Sequence, residues 1–140
     1  VLLLTFALIL LAGCGKSLTN KSTGDTMKIS LDVDTSSNYV WSYSIMDSNV
    51  IDLKSEEFLT PADDETLDSD AQVLTFKAFN EGESEIILSY MNNDSGKTKY
   101  DITYVITVDA NKNIKVKEKS GKYSKKLPNP VIYTESNDEK

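Results

Sequence analysis

Residues 100–108 read YDITYVITV, and the fold is decided there. Tyr100, Ile102, Tyr104, Ile106 and Val108 alternate with Asp101, Thr103, Val105 and Thr107. Successive side chains of a strand point to opposite faces. A period of two therefore sets one face in a core and the other in water. Toward the C-terminus, Asp109-Ala110-Asn111-Lys112-Asn113 reads as a turn into Ile114 and Val116, with Lys115 and Lys117 facing out. Toward the N-terminus the same alternation recurs in Ile86, Leu88 and Tyr90, and in Leu74, Phe76 and Ala78, with a turn at Asn80-Glu81-Gly82-Glu83 between them. It recurs again in Tyr39, Trp41, Tyr43 and Ile45, and in Met27, Ile29, Leu31 and Val33. A short run, Val50-Ile51-Asp52-Leu53, follows a turn at Asp47-Ser48-Asn49. No stretch keeps a helical period.

About seven short strands with turn signals between them predict an all-β chain. The architecture expected is an immunoglobulin-like antiparallel β-sandwich over residues 27–118, with residues 113–118 as a C-terminal β-hairpin extension. Trp41 is expected to fill the middle of the core, where its indole N–H needs a partner. Residues 119–140 read as a polar tail that could add a short edge strand at Val131-Ile132-Tyr133.

Composition narrows the chemistry. The 140 residues include no histidine, no arginine and one cysteine, with a net charge of -7. No Ser-His-Asp triad, Cys-His pair, imidazole metal site, internal disulfide or thiolate zinc cage can be built from them. The acidic balance argues against nucleic acid. An enzyme is not expected, and no cofactor or metal is implied. Asp63, Asp64, Glu65, Asp68 and Asp70 crowd one stretch, but they lack the spacing and glycine of a calcium loop and read as a solvated acidic loop. The charge is also polarised. Residues 112–126 hold seven lysines and one acid, while residues 14–110 hold seven lysines and 18 acids. Lysines alternating with core residues suit an edge strand guarded against aggregation; the other reading is a contact with anionic lipid headgroups.

The chain opens with VLLLTFALILLA, residues 1–12, uncharged and too short to span a bilayer. It reads as the apolar part of a signal segment covering residues 1–13, whose basic start the printed sequence is expected to lack. Leu11-Ala12-Gly13-Cys14 resembles the lipobox of bacterial lipoproteins. That resemblance implies lipid attachment to Cys14, cleavage before it, and an extracytoplasmic domain anchored to the bacterial cell membrane. Residues 14–26 then form the lipidated cysteine and a polar tether.

Asp34-Thr35-Ser36-Ser37-Asn38-Tyr39-Val40-Trp41 resembles the NPTTGY-x-W signature of chagasin-like cysteine-protease inhibitors. Leu74-Thr75-Phe76-Lys77-Ala78, Glu81-Gly82 and Ile87-Leu88-Ser89-Tyr90 follow the order of that family's later strands, and Ser55-Glu56-Glu57-Phe58 matches an acidic-aromatic step. The resemblance implies a sandwich presenting three loops at one end, with a papain-like cysteine protease as partner and reversible inhibition by insertion into its cleft. By position, the inserting loop is Asp34, Thr35, Ser36, Ser37, Asn38 and Tyr39. Tyr39 and Trp41 anchor it to the core. Asn38 stands where the family has glycine, and asparagine tolerates left-handed backbone. The flanking loops are represented by Asp64, Glu65, Thr66 and Leu67, and by Asn92, Asn93 and Asp94. Two departures stand out. Residues 60–71 contain no glycine where the family has a Gly-rich loop. No Arg-Pro-Trp follows Tyr90-Met91, and arginine and tryptophan are residue types that dominate interface energy. The alternative is a surface interaction or assembly module that keeps the fold without inhibiting.

Overall fold

The computed structural model describes residues 23–135. Eight strands follow one another: β1 (Thr26–Asp32), β2 (Tyr39–Ile45), β3 (Ile51–Leu59), β4 (Ala71–Ala78), β5 (Gly82–Asn92), β6 (Thr98–Val108), β7 (Ile114–Lys122) and β8 (Val131–Tyr133). They form two antiparallel four-stranded sheets, ordered β3-β4-β1-β8 and β2-β5-β6-β7. Among the described residues there is no helix. The all-β immunoglobulin-like sandwich expected from the alternation is the architecture observed.

The alternation determines what each sheet buries. Met27, Ile29 and Leu31 of β1 and Leu74 and Phe76 of β4 are buried in the first sheet. Ile86, Leu88 and Tyr90 of β5 and Ile102, Tyr104 and Ile106 of β6 are buried in the second. These residues form a single core cluster. Burying each such side chain contributes about 1.5–3 kcal/mol, which orders the strands that carry them. Trp41 joins the core, and its indole Nε1–H donates to the Asp32 carbonyl at 2.9 Å.

Three features differ from the sequence-based expectation. First, β3 does not end at Leu53. A register shift between Leu53 and Ser55 carries it on along β4 to Leu59, placing Ser55-Glu56-Glu57-Phe58 in the strand. The alternation is hidden there because β3 is a sheet edge, with residues 54–58 exposed. Second, the hairpin at 113–118 is not an appendage. β7 runs on to Lys122 and pairs with β6 along its length, making it an integral fourth strand of the second sheet. Third, residues 119–133 are not a tail: the chain crosses to the first sheet and forms there the short edge strand expected at Val131-Ile132-Tyr133. There Val131, Ile132 and Tyr133 pair with Lys28, Met27 and Thr26 of β1. Tyr123, Leu127 and Ile132 pack on the core as they pass, so residues 119–133 close one side of the sandwich.

Candidate functional site

Three connections meet at one end of the sandwich: residues 33–38 between β1 and β2, 60–70 between β3 and β4, and 93–97 between β5 and β6. They share an end because antiparallel strands return their alternate turns to the same side.

The first loop is organised by Asp34. Its carboxylate accepts from the Ser36 amide at 3.0 Å and the Ser36 hydroxyl at 2.6 Å, and its carbonyl accepts from the Ser37 amide at 3.0 Å and the Ser37 hydroxyl at 2.8 Å. This is an aspartate turn, in which the side chain stands in for backbone. The Ser36 hydroxyl and amide hold the Asp34 carboxyl below its ordinary range. Both serine hydroxyls donate inward; the exposed Ser36 oxygen faces the surroundings as an acceptor, whereas the half-buried Ser37 oxygen accepts from the Tyr39 amide at 3.2 Å. The expected left-handed backbone at Asn38 is not found. The non-glycine residue with positive φ among the described residues is Lys112. Asn38 instead leads straight into β2, and its side chain does the work that a glycine could not: the carboxamide donates to the Asp94 carboxylate.

The second loop is two tight turns, each tied by an aspartate. The Asp63 carboxylate accepts from the amide and hydroxyl of Thr60 at 2.8 and 3.0 Å. The Asp64 carboxylate accepts from the amide and hydroxyl of Thr66 at 2.9 and 2.7 Å. Those bonds push both carboxyls below their ordinary range, for Asp63 chiefly through the Thr60 amide and for Asp64 chiefly through the Thr66 hydroxyl. Side-chain acceptors thus supply here the turn stability that glycines supply elsewhere. Glu65 and Thr66 are exposed; Asp64 and Leu67 are half-buried.

In the third loop the Asn92 side-chain oxygen accepts from the amides of Asp94 and Ser95 at 2.9 and 3.0 Å. The Asn92 carbonyl accepts from Gly96, whose φ of 71° requires glycine or a residue tolerant of that region. Asn92 therefore shapes the loop from its half-buried base, while Asn93, Asp94 and Ser95 form the exposed tip.

The loops are joined to one another, with the first in the middle. The Val33 amide donates to the Asp70 carbonyl at 3.1 Å, and the Thr35 hydroxyl donates to the Asp70 carboxylate. On the other side the Asn93 amide donates to the Asn38 carbonyl at 2.8 Å, beside the Asn38–Asp94 bond. Beneath lies an aromatic layer. Tyr39 and Trp41 pack on Tyr90 at ring-centroid distances of 5.3 and 5.0 Å, and Tyr100 stacks on Tyr90 at 5.9 Å. The Tyr90 hydroxyl accepts from the Asp34 amide at 3.2 Å, tying loop to floor. Tyr39 thus belongs to the floor rather than the tip.

Of the residues singled out from the sequence, Asn38 meets Asn93 and Asp94, while the hydrogen bonds of Asp64, Thr66 and Leu67 stay within the second loop, which reaches the first through Asp70. Asp70 reads in the sequence only as part of an acidic loop. Gln72, whose side-chain amide bonds the backbone N–H and carbonyl of Trp41, gives no signal, because a polar residue at an inward position of β4 looks like a break in the alternation. The carboxylates at this end outnumber the bases: seven in the three loops against Lys97. Cys14 lies outside the described residues.

Comparison with known proteins bears on the family and the fold. The sequence profile of the chagasin family of peptidase inhibitors, I42, matches residues 20–108. The fold is similar to the crystal structure of the cysteine protease inhibitor EhICP2 from Entamoeba histolytica, with a TM-score of 0.51 and 20% identity over 63% of this chain and 81% of that one. Comparison with curated proteins found no match. The profile covers well over half of the chain, and members of this family inhibit peptidases rather than act as enzymes, so the chain belongs to the chagasin family of peptidase inhibitors.

Proposed function

We propose that this protein is a reversible inhibitor of papain-like cysteine proteases that inserts residues 34–38 into the active-site cleft, with residues 60–70 and 93–97 resting on the two flanks. One observation carries the reading: the middle loop is hydrogen-bonded to both neighbours, through Asp70 on one side and through Asn93 and Asp94 on the other. A wedge already in its bound shape loses little conformational freedom on docking. The small hydroxyl residues Ser36 and Ser37 suit a narrow cleft, and the exposed Ser36 oxygen offers an acceptor near a nucleophile.

The same reading has the protein held at the bacterial membrane by lipid on Cys14, outside the cytoplasm. The wedge follows the C-terminal end of β1, and the tether precedes its N-terminal end. A seven-residue strand spans about 20 Å, so an anchored domain would present its loops away from the bilayer.

The test is a panel of papain-like proteases assayed with the mature chain. Micromolar or tighter inhibition, competitive with substrate, is the expected result. No inhibition across the panel at high micromolar concentration would leave the non-inhibitory interaction module, which the missing arginine and tryptophan of the third loop favour. Anchoring is checked separately: Cys14→Ser should abolish incorporation of labelled fatty acid, and unchanged labelling would refute the assignment.

A further inference from the structure

We infer that residues 123–133 are a strap that presets the inserting loop, with Tyr123 and Lys125 as its positioning residues. The inference rests on the reading of residues 34–38 as the inhibitory wedge. The family profile matches residues 20–108, so the strap lies outside the matched residues.

The strap leaves β7 at the wedge end and grips both strands from which the wedge springs. The Tyr123 ring stands edge-on to Trp41 at 5.7 Å and to Tyr100 at 5.4 Å, so it packs directly against β2 two residues after Tyr39. Two residues on, the Lys125 ammonium bonds the Asp32 carboxylate at the end of β1. Asp32 is the residue whose carbonyl takes the Trp41 indole. The two grips therefore converge on one junction, Asp32 with Trp41, directly below Asp34. The strap is then fastened further along. The Tyr104 hydroxyl donates to the Pro128 carbonyl at 2.7 Å, Leu127 packs on the core, and β8 pairs with the far end of β1.

An open pocket of about 190 Å³ lies between the wedge and the strap, lined among others by Asp34, Trp41, Tyr90, Tyr100 and Tyr123. Without the Tyr123 ring that space would widen, and Trp41 would lose an edge-to-face partner. A loop whose supports can shift samples more conformations, and each must be given up on docking. The strap's contribution thus falls on the retention of the bound protease, by keeping the wedge in one shape.

The experiment compares the full mature chain with Tyr123→Ala, Tyr123→Phe and Lys125→Glu. Three quantities are read: the inhibition constant with its dissociation rate, amide hydrogen exchange at Ser36, Ser37 and Tyr39 without protease, and the urea midpoint. Tyr123→Ala should weaken inhibition by about ten-fold or more through faster dissociation, since two ring pairs are lost. Exchange at the three amides should accelerate with it. Tyr123→Phe keeps the ring and should restore both. Lys125→Glu should weaken inhibition by roughly two- to five-fold, the scale of an exposed ion pair, and loosen the same amides. An unchanged inhibition constant, or unchanged exchange at the wedge, in a folded Tyr123→Ala chain overturns the strap. Should Tyr123→Ala fail to fold, Lys125→Glu decides by the same two readouts. If the parent chain inhibits no protease, the functional reading fails, while the exchange comparison still tells whether the strap holds the loop.

Discussion

The side-chain amide of Gln72 closes both backbone hydrogen bonds of Trp41. The Trp41 N–H donates to Gln72 Oε1 at 2.9 Å, and Gln72 Nε2 donates to the Trp41 carbonyl at 2.8 Å. Gln72 sits on β4 in one sheet and Trp41 on β2, the edge of the other. A carboxamide carries a donor and an acceptor in the same relation as a peptide group, so it occupies the place of a missing neighbouring strand. It locks the two sheets together immediately below the wedge, and it blocks the open edge of β2 against another chain.

Replacing Gln72 with leucine should therefore cost far more than an ordinary surface change. Both groups of Trp41 would be left without partners in a buried place, at about 2 kcal/mol or more together. Urea unfolding measures it. Gln72→Glu removes the donor and buries a charge, so its stability should improve as pH falls and the neutral carboxyl can again donate. A leucine variant as stable as the parent would show that the edge finds another partner.

The wedge can be tested without touching the core. Ser36→Arg should raise the inhibition constant by roughly 30-fold or more, the scale of an interface hot spot, with the urea midpoint lowered only slightly, because Ser36 is exposed and only its hydroxyl bond to Asp34 is lost. Asn38→Asp should set two carboxylates against each other at Asp94 and release the wedge from the third loop. Adding Asp94→Asn should recover most of the loss. Simple additivity of the two changes, in a double-mutant cycle on the inhibition constant, would mean that the bridge is not what holds the loop.

The Asp34 turn has a defined pH dependence. Its carboxyl is lowered in the folded chain, first by the Ser36 hydroxyl and then by the Ser36 amide. A lowered carboxyl favours the ordered turn above the unfolded-state value of about 3.9, and that preference is lost as pH falls through the folded value. The wedge should therefore keep its shape from neutral pH down to about pH 4. An NMR titration of the Asp34 carboxyl should give a midpoint under the unfolded value, with the Ser36 amide shifting in step. A midpoint at or above that value would contradict the turn.

Gly121 is a structural requirement of β7. Its φ is 136°, and a Cβ there would lie 2.1 Å from the Asp101 carbonyl oxygen and 2.8 Å from the Ile102 Cα. Gly121→Ala forces backbone apart, at about 2 kcal/mol or more. Because Tyr123 follows two residues later, the same change should weaken inhibition as well as lower the urea midpoint. An unaltered midpoint would mean that β7 and β6 separate there without cost.

Which side of each strand is buried can be read from the local pattern of residues. Alternation is local, so Tyr100 to Val108, Ile86 to Tyr90 and Met27 to Leu31 could be read as strands one at a time, and the Asp34 to Trp41 motif marked the middle loop. The local pattern did not show the second half of β3, where an edge exposes both faces, nor the length of β7. What holds the wedge comes from contacts between residues far apart in the chain. Trp41 meets Gln72 across 31 residues, Thr35 meets Asp70 across 35, Asn38 meets Asp94 across 56 and Asp32 meets Lys125 across 93. A residue's neighbours in the chain dictate the face it turns to the core. The partner of a polar side chain depends on which strands lie side by side, and that is settled by the collapse of the whole core.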